Sequence, residues 1–461
     1  MARGVFFALE RARREPVGRC LAELRLNERL EPAAIQQLQQ NKLQELLRFA
    51  FRRNDYFRRR MSSYESVKDL TSIPVLTKKD LRTDYNQIIT PGFNRLDLVK
   101  TSGSTGEPLK FYRDRTVFAH TLASVLRGHA WHGIEVGAKE AMLWGIPAGR
   151  THRMQMRLRD ALLNRFRERD YTLDPVVLLE FYQKMLRRGP DYLYGYSSMV
   201  YEFALFVMER QLPGRELGLK GVVCTAESIH DYQRAAIERT FGCRVISEYG
   251  SAETGIISYE CAHGRHHISD DCVYVEILDD DNKPVGVGDV GKVTVTVLHS
   301  FAAPIIRYQL GDYASLSDET CKCGVNLSLI DQIVGRTSGI IVTPSGRCFH
   351  SIVLYYIMKD FADNFGGVRQ FKVRQTAIDH LEFHVVPSGH FGSEAREWIS
   401  RMVKTRLGND ISIDFIEHST IARAASGKLR DFESTLDVEK YLLNSYGDAD
   451  RVTFSREGNI G

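Results

Sequence analysis

"LKGVVCTAESIHDYQRAAIERTFGCRVISEYGSAETG", residues 219–255, decides the fold. Two apolar, β-rich runs, residues 219–228 and 243–255, each pass into small and polar residues, and a helix-like segment separates them. Strand, helix, strand is the unit that builds parallel sheets, and ligands sit at the C-terminal ends of such strands. Upstream, "DPVVLLEFYQKMLRRGPDYLYGYSSMVYEFALFVMERQ" (residues 174–211) reads as a helical run. It is broken by Gly189-Pro190 and by "YGYSS", which puts residues 194–198 on a loop between helices.

Farther upstream, residues 31–61 carry apolar residues at helical spacing on a basic, glutamine-rich background, as an amphipathic helix does. "IPVLTKKDLR" (residues 73–82) offers a turn and a helix start. Downstream, "VYVEILD", "GKVTVTVL" and "IIRYQLGDYASL" look like a β-rich meander joined by the turn-rich "DDDNKPVGVGD". After residue 346, short strands alternate with helices such as residues 393–407. The expected architecture is α/β, with a large multi-layer domain over residues 1–335 that combines parallel-sheet subdomains with a β-rich one. A small α+β domain over residues 336–461 follows, with a frayed tail from about residue 433.

Composition bounds the function. The chain has 461 residues, 43% hydrophobic and 26% charged, which is ordinary globular composition with room for two to four domains. A net charge of +4 gives no footprint for nucleic acid. The apolar patch at residues 5–9 is shorter than a secretory core, and no stretch reaches the length of a membrane span, so a cytoplasmic protein is expected. Eight cysteines are too sparse for a disulfide scaffold and read as buried thiols or metal ligands.

"TSGSTGEPLK" (residues 101–110) packs glycines, hydroxyls and a lysine as a phosphate-wrapping loop does, although a plain linker shares this composition. It does not match the P-loop pattern. Three further stretches follow in order: "SEYGSAETG" (247–255), "RYQLGDYASL" (307–316) with "GRTSG" (335–339), and "RAASGKLRDF" (423–432). "CAHGRHH" (261–267) and "CKCG" (321–324) add cysteines and histidines about sixty residues apart, suited as two pairs to tetrahedral Zn²⁺ but not at zinc-finger spacing. Reduced thiols on two surface turns, or a histidine lining a substrate pocket, are the other readings.

The four stretches in that order resemble the adenylate-forming superfamily, the acyl-CoA synthetases and their relatives. "LQELLRFAFRRNDYFRRRM", "SIPVLTKKDLR", "YLYGYSSMVYEFA" and "ECAHGRHHISDD" resemble its phenylacetate-CoA ligase branch, which includes proteins encoded with capsular polysaccharide genes. The likeness covers about residues 40–432. It implies activation of a small carboxylic acid, of aryl or arylacetate type, by ATP with Mg²⁺ to an acyl-adenylate, with release of pyrophosphate, and transfer to an acceptor. CoA thiol is the default acceptor, and an amine or hydroxyl, as in amide formation or polysaccharide modification, is the rival. A non-catalytic nucleotide-binding relative is a third reading.

By the same resemblance Thr101, Ser102, Gly103, Ser104, Thr105, Gly106 and Lys110 embrace the β- and γ-phosphates. Tyr249 stacks on adenine beside Gly250, Ser251 meets the α-phosphate, and Glu253 holds Mg²⁺. Asp312 takes the ribose hydroxyls with Arg336 adjacent, and Arg307 assists the phosphate. Lys428 is carried to the reacting groups by the mobile small domain, whose hinge position is Ser338. Cys261, His267, Cys321 and Cys323 are the implied zinc ligands. Trp131, Trp144, Tyr194 and Tyr196 are candidate walls of the acyl pocket, with Ser197 and Ser198 as polar contacts. A homodimer is among the expected assemblies.

Overall fold

The computed structural model describes residues 4, 16–61, 70–93, 96–100, 109–144, 160–168, 175–336, 340–365, 368–387, 389, 391–422 and 432–436. The chain divides into two compact units, Met1–Leu310 with Ala314–Ile333, and Gly311–Tyr313 with Val334–Gly461. No helix among the described residues is long and apolar enough to cross a membrane.

The N-terminal segment forms helices Val17–Asn27, Pro32–Arg53 and Asp55–Arg60. The single amphipathic helix expected over residues 31–61 therefore breaks, and Asn54 is the reason. Its side chain accepts from the amides of Tyr56 and Phe57 at 3.0 and 3.3 Å, which caps the next helix, and it donates to the Ile88 carbonyl at 2.8 Å. Leu43, Leu46, Leu47 and Ala50 from the long helix pack with Phe111, Val117, Ile305 and Ile306 in one core. Thr77 starts the helix Lys78–Thr83 through a capping box with Asp80, as its sequence predicts.

Strands β1 (Asp97–Lys100) and β2 (Lys110–Arg113) pair as an antiparallel ribbon. The main sheet is built from β3 (Glu140–Leu143), β4 (Arg165–Glu168), β5 (Tyr192–Tyr196), β6 (Gly221–Thr225), β7 (Arg244–Ser251), β8 (Gly255–Glu260), β9 (His266–Ile268), β10 (Val273–Leu278), β11 (Gly291–Val297), β12 (Tyr308–Ser317) and β13 (Leu329–Arg336). Its order is β10-β11-β12-β13-β9-β8-β7-β6-β5-β3-β4. The segment β7-β6-β5-β3-β4 is parallel, and β8 turns back antiparallel on β7. Helix Asp231–Phe241 joins β6 to β7, so residues 219–255 are the strand, helix, strand unit that the sequence predicts.

One expectation is overturned here. Residues 194–198 do not form a loop between helices: residues 192–196 are β5, and helix Ser197–Glu209 begins directly after it. Flanked by β3 and β6, the aromatic run "YLYGY" is mostly buried, and burial on both faces removes the polar alternation that marks a strand in sequence.

The second unit holds a sheet of order β18-β17-β16-β19, made of β16 (Val368–Ala377), β17 (His380–Pro387), β18 (Ser412–Glu417) and β19 (Phe432–Ser434), after a small ribbon of β14 (Ile340–Val342) and β15 (Cys348–His350). Helices Ile352–Phe365 and Ser393–Leu407 share a core with Val373, Leu381, Phe383 and Val385. Glu433 and Ser434, assigned to a frayed tail by sequence, instead pair parallel with Arg374 and Gln375 in β19.

Candidate active site and metal centre

The central motif spans the end of β7 and its return into β8. A side chain at Gly250 would place Cβ 2.3 Å from the Gly255 carbonyl oxygen, so the turn admits only glycine there. Ser251 Oγ lies 3.0 Å from Thr254 Oγ1 and accepts from the Thr254 amide at 3.1 Å, which fixes the turn. Glu253 is half-buried, and the Tyr308 hydroxyl donates to it at 3.4 Å. Tyr249 is half-buried against the cluster that contains Ile257, Val295 and Ile330. This one turn, at the C-terminal edge of the parallel strands, brings Tyr249, Gly250, Ser251 and Glu253 together.

Asp312 lies buried on β12 after Gly311, and Arg336 ends β13. Lys110 is exposed at the start of β2, paired in register with Lys100. Thr101, Ser102, Gly103, Ser104, Thr105, Gly106, Ser338 and Lys428 lie outside the described residues.

Arg307 does not face a phosphate. It is fully buried with a backbone φ of +51°. Its guanidinium grips Glu276 through Nε at 3.1 Å and Nη2 at 3.0 Å, and donates to the carbonyls of Thr71, Ile73 and Asn282 at 3.1, 2.6 and 3.2 Å. A guanidinium has five N–H donors, and these contacts occupy its three nitrogens.

Aromatic side chains gather at the ends of neighbouring strands. The Trp144 ring stacks on Tyr196 at 4.3 Å and on Tyr194 at 5.9 Å. Trp131 is engaged elsewhere: its Nε1 donates to Glu28 at 3.0 Å, and its ring meets His267 edge-on at 5.6 Å. Ser197 does not offer its hydroxyl to a ligand, because it is buried and donates to the Glu227 carbonyl at 3.0 Å. The Ser198 amide donates to the Glu227 carboxylate at 2.9 Å, so a negative charge caps this helix N-terminus. Glu227 follows Ala226, whose φ of +65° is costly for a residue with a Cβ. The run "TAES" after a strand was the available signal for this bend.

Sequence reasoning also missed a buried carboxyl, Glu248, next to Tyr249. Burial pushes it above the usual carboxylate range, and its Oε1 accepts from Tyr194 at 3.1 Å and Thr225 at 2.8 Å.

The cysteine and histidine pairs converge. The ligating atoms of Cys261, His267, Cys321 and Cys323 all lie within 4.8 Å of one another. Cys261 Sγ is 3.7 Å from Cys321 Sγ, the separation of about 3.7 Å that two Zn–S bonds of about 2.3 Å subtend at a tetrahedral angle. Cys323 Sγ lies 3.2 Å from His267 Nε2, while His267 Nδ1 is 3.1 Å from the Leu327 carbonyl. That carbonyl takes the Nδ1 proton and leaves the Nε2 lone pair facing the thiols. Burial pulls His267 down to about 4, which keeps it neutral, and pushes Cys261 up and Cys323 up to about 12. Three thiols and a neutral imidazole in a half-buried nest are the donor set of a structural zinc site. His266 is left out: it alternates to the other side of β9 and its Nδ1 meets Ser258 Oγ at 3.1 Å.

No protein-family model matches the chain. It is 24% identical to protein CapK of Staphylococcus aureus over 384 residues, 79% of this chain and 80% of that one. It is 24% identical to a phenylacetate-coenzyme A ligase of Thermus thermophilus over 468 aligned residues, 90% of this chain and 98% of that one. The fold matches the crystal structure of 2-hydroxyisobutyryl-CoA ligase in its postadenylation state with a TM-score of 0.73 at 20% identity, covering 91% of this chain and 93% of that one. In its ordered motifs, in the sheet that carries the central turn and in these relatives, the chain is similar to the adenylate-forming superfamily and, within it, to the phenylacetate-CoA ligase-like branch.

Proposed function

We propose that the protein is an AMP-forming ligase that activates a small carboxylic acid with ATP and passes the acyl group to CoA thiol. The observation that carries this reading is the locked turn from Tyr249 to Glu253 at the C-terminal edge of a parallel sheet, in a chain that aligns along most of its length with a phenylacetate-coenzyme A ligase.

A carboxylate is a weak nucleophile toward a charged triphosphate, so the protein must hold the two in line and offset negative charge. In this reading Tyr249 offers its ring to adenine, and Ser251 presents its hydroxyl to the α-phosphate. A carboxylate oxygen attacks the α-phosphorus, and the bond to the pyrophosphate oxygen breaks. Glu253, an accessible hard carboxylate, would hold Mg²⁺, which supplies positive charge to the phosphates. Thr101, Ser102, Ser104, Thr105 and Lys110 would enclose the departing pyrophosphate, with Gly103 and Gly106 admitting backbone N–H groups. Asp312 accepts from the ribose hydroxyls and Arg336 lies beside them. Lys428, on the small C-terminal domain, brings an ammonium to the developing charge, worth about 3–4 kcal/mol in a dry site. Cys261, His267, Cys321 and Cys323 would hold a structural Zn²⁺ that ties the end of β8 and β9 to the turn after β12. A cytoplasmic setting suits both ATP and reduced thiols.

The test is pyrophosphate exchange with ATP and Mg²⁺ over a panel of aryl, arylacetic, fatty and amino acids, with and without CoA. Exchange that requires one acid and falls by roughly 10²–10³ in Lys428→Ala is expected. CoA should then draw the product to a thioester. Exchange with a product formed only on an amine or hydroxyl would overturn the acceptor, and no exchange with ATP still bound would overturn catalysis.

A further inference from the structure

The buried polar groups beneath the central turn are not used by the mechanism above. On one face of the sheet, β5, β6, β7 and β8 bring together Tyr194, Thr225, Glu248 and Tyr259, with Thr225 and Tyr259 each in register with Glu248. Glu248 is 8% exposed and Tyr259 1%. Tyr194 and Thr225 satisfy Oε1 of Glu248, but Oε2 is enclosed with no hydrogen-bond partner among the described residues, and so is the Tyr259 hydroxyl. His129 Nε2, whose ring meets Tyr259 edge-on at 5.9 Å, is a third enclosed polar atom without a partner among the described residues.

A single orphan of this kind costs about 1–3 kcal/mol, and three clustered along one face call for a polar occupant. Gly128 of helix Arg115–Ala130 lies so close that a Cβ would fall 2.3 Å from the Tyr259 ring, so the helix packs directly on that ring. The cluster also reaches the crevice: Tyr194, the donor to Glu248, is half-exposed and stacks on the half-exposed Trp144 at the strands' C-terminal edge. Ser251, the proposed α-phosphate contact, stands three residues beyond Glu248 on the same strand.

We infer that the acid activated in this crevice carries a hydroxyl or amino group at the end remote from its carboxylate, received by Glu248 Oε2 and the Tyr259 hydroxyl. The inference rests on the carboxylate-activation reading of the site and deepens it by naming the substrate class. Glu248 accepts the donor hydrogen and Tyr259 donates to the lone pair, so an unsubstituted acid would leave both groups unpaired. Sites built to hydrogen-bond a substrate group reject the analogue lacking it by factors of roughly 10⁴, whereas apolar pockets discriminate far less.

The experiment uses the full-length protein and matched acids: 4-hydroxyphenylacetate against phenylacetate, 4-aminobenzoate against benzoate, and 6-hydroxyhexanoate against hexanoate. Ligand-induced thermal shift in the presence of AMP and pyrophosphate-exchange kcat/KM are read in parallel. At least one donor-bearing acid is expected to exceed its parent by 10²-fold or more in kcat/KM and to give the larger shift. Glu248→Leu, close in shape and apolar, should bring the pair to within a few-fold of each other, and Tyr194→Phe should narrow the gap by a smaller factor. A merely structural role would lower activity toward both members alike. Equal or absent differences in every pair, or a preference that survives Glu248→Leu, overturn the inference and leave the gap to buried water. A binding preference that depends on Glu248, with no exchange from any acid, would sink the ligase reading while the substrate class stands.

Discussion

Replacing Arg307 by alanine separates a structural arginine from a phosphate-binding one. The side chain is fully enclosed, and Glu276, its bidentate partner, is 6% exposed. Truncation leaves that carboxylate buried without its cation and strips donors from three carbonyls on residues 71, 73 and 282. Breaking a buried pair by removing one partner costs about 3–5 kcal/mol. The unit that contains Arg307 has roughly 330 residues, for which an unfolding entropy of about 2.1 cal/mol/K per residue gives about 0.7 kcal/mol/K, so Tm should fall by about 4–7 °C. Scanning calorimetry of wild type, Arg307→Ala and the double variant Arg307→Met/Glu276→Leu reads this directly. The double variant should recover most of the loss, since it removes both charges together. KM for ATP in Arg307→Ala should stay within about threefold of wild type at a temperature where both are folded. An unchanged Tm with a 10²-fold loss in exchange would refute the reasoning and return Arg307 to the phosphates.

Four other measurements bear on the site. Glu253→Gln should lower exchange by about 10²-fold or more with little change in Tm, because Glu253 is half-exposed and, among the described residues, is held by one long bond, from Tyr308; a normal rate would exclude it as the Mg²⁺ carboxylate. Gly250→Ala should abolish exchange and lower Tm, since a Cβ 2.3 Å from the Gly255 carbonyl oxygen must unseat the turn; full activity would show that the turn is not held as described. Metal analysis should find one zinc per chain, lost with a fall in Tm in Cys323→Ser, and protein that is metal-free and equally stable would remove the zinc assignment. Stability should fall as pH drops from 7 to 4.5. Burial holds His129 down to about 3 and His266 to about 4, so across that window the unfolded chain takes protons that the folded chain refuses. Asp270, pushed up to about 6, works in the opposite sense with Glu28, Glu248 and Glu276, also raised by burial, but His120, His132, His267 and His299 are held down alongside His129 and His266, so the histidines outnumber the carboxyls. His266→Asn should flatten the slope of Tm on pH, and an unchanged slope would refute the burial argument.

The strand, helix, strand core was legible because β6 and β7 each end in small, polar residues that halt an apolar run, and the link between them carries helical spacing. The capping box at Thr77 was legible because its partners lie three residues apart. β5 was not. Its mostly buried aromatic run shows no period, and the following Ser-Ser reads as a turn until one sees Glu227 capping that helix from thirty residues away. Asn54 likewise breaks a helix whose apolar spacing continues through it, and it does so with a bond to Ile88 that no local window contains.

The same distinction sorts the site. Cys261, Cys321, Cys323 and the histidines near Cys261 could be grouped in advance because thiol and imidazole have few other reasons to cluster, while the choice of His267 among those histidines came with the family resemblance. Arginine, serine and glutamate lack that property, since each is as useful to the fold as to a ligand. Arg307, Ser197 and Glu248 therefore had to be decided by counting partners. Arg307 and Ser197 have theirs within the protein, which withdraws them from catalysis. Glu248 has one oxygen satisfied and one not, beside a tyrosine hydroxyl in the same state, and that incomplete count marks where a substrate group would fit.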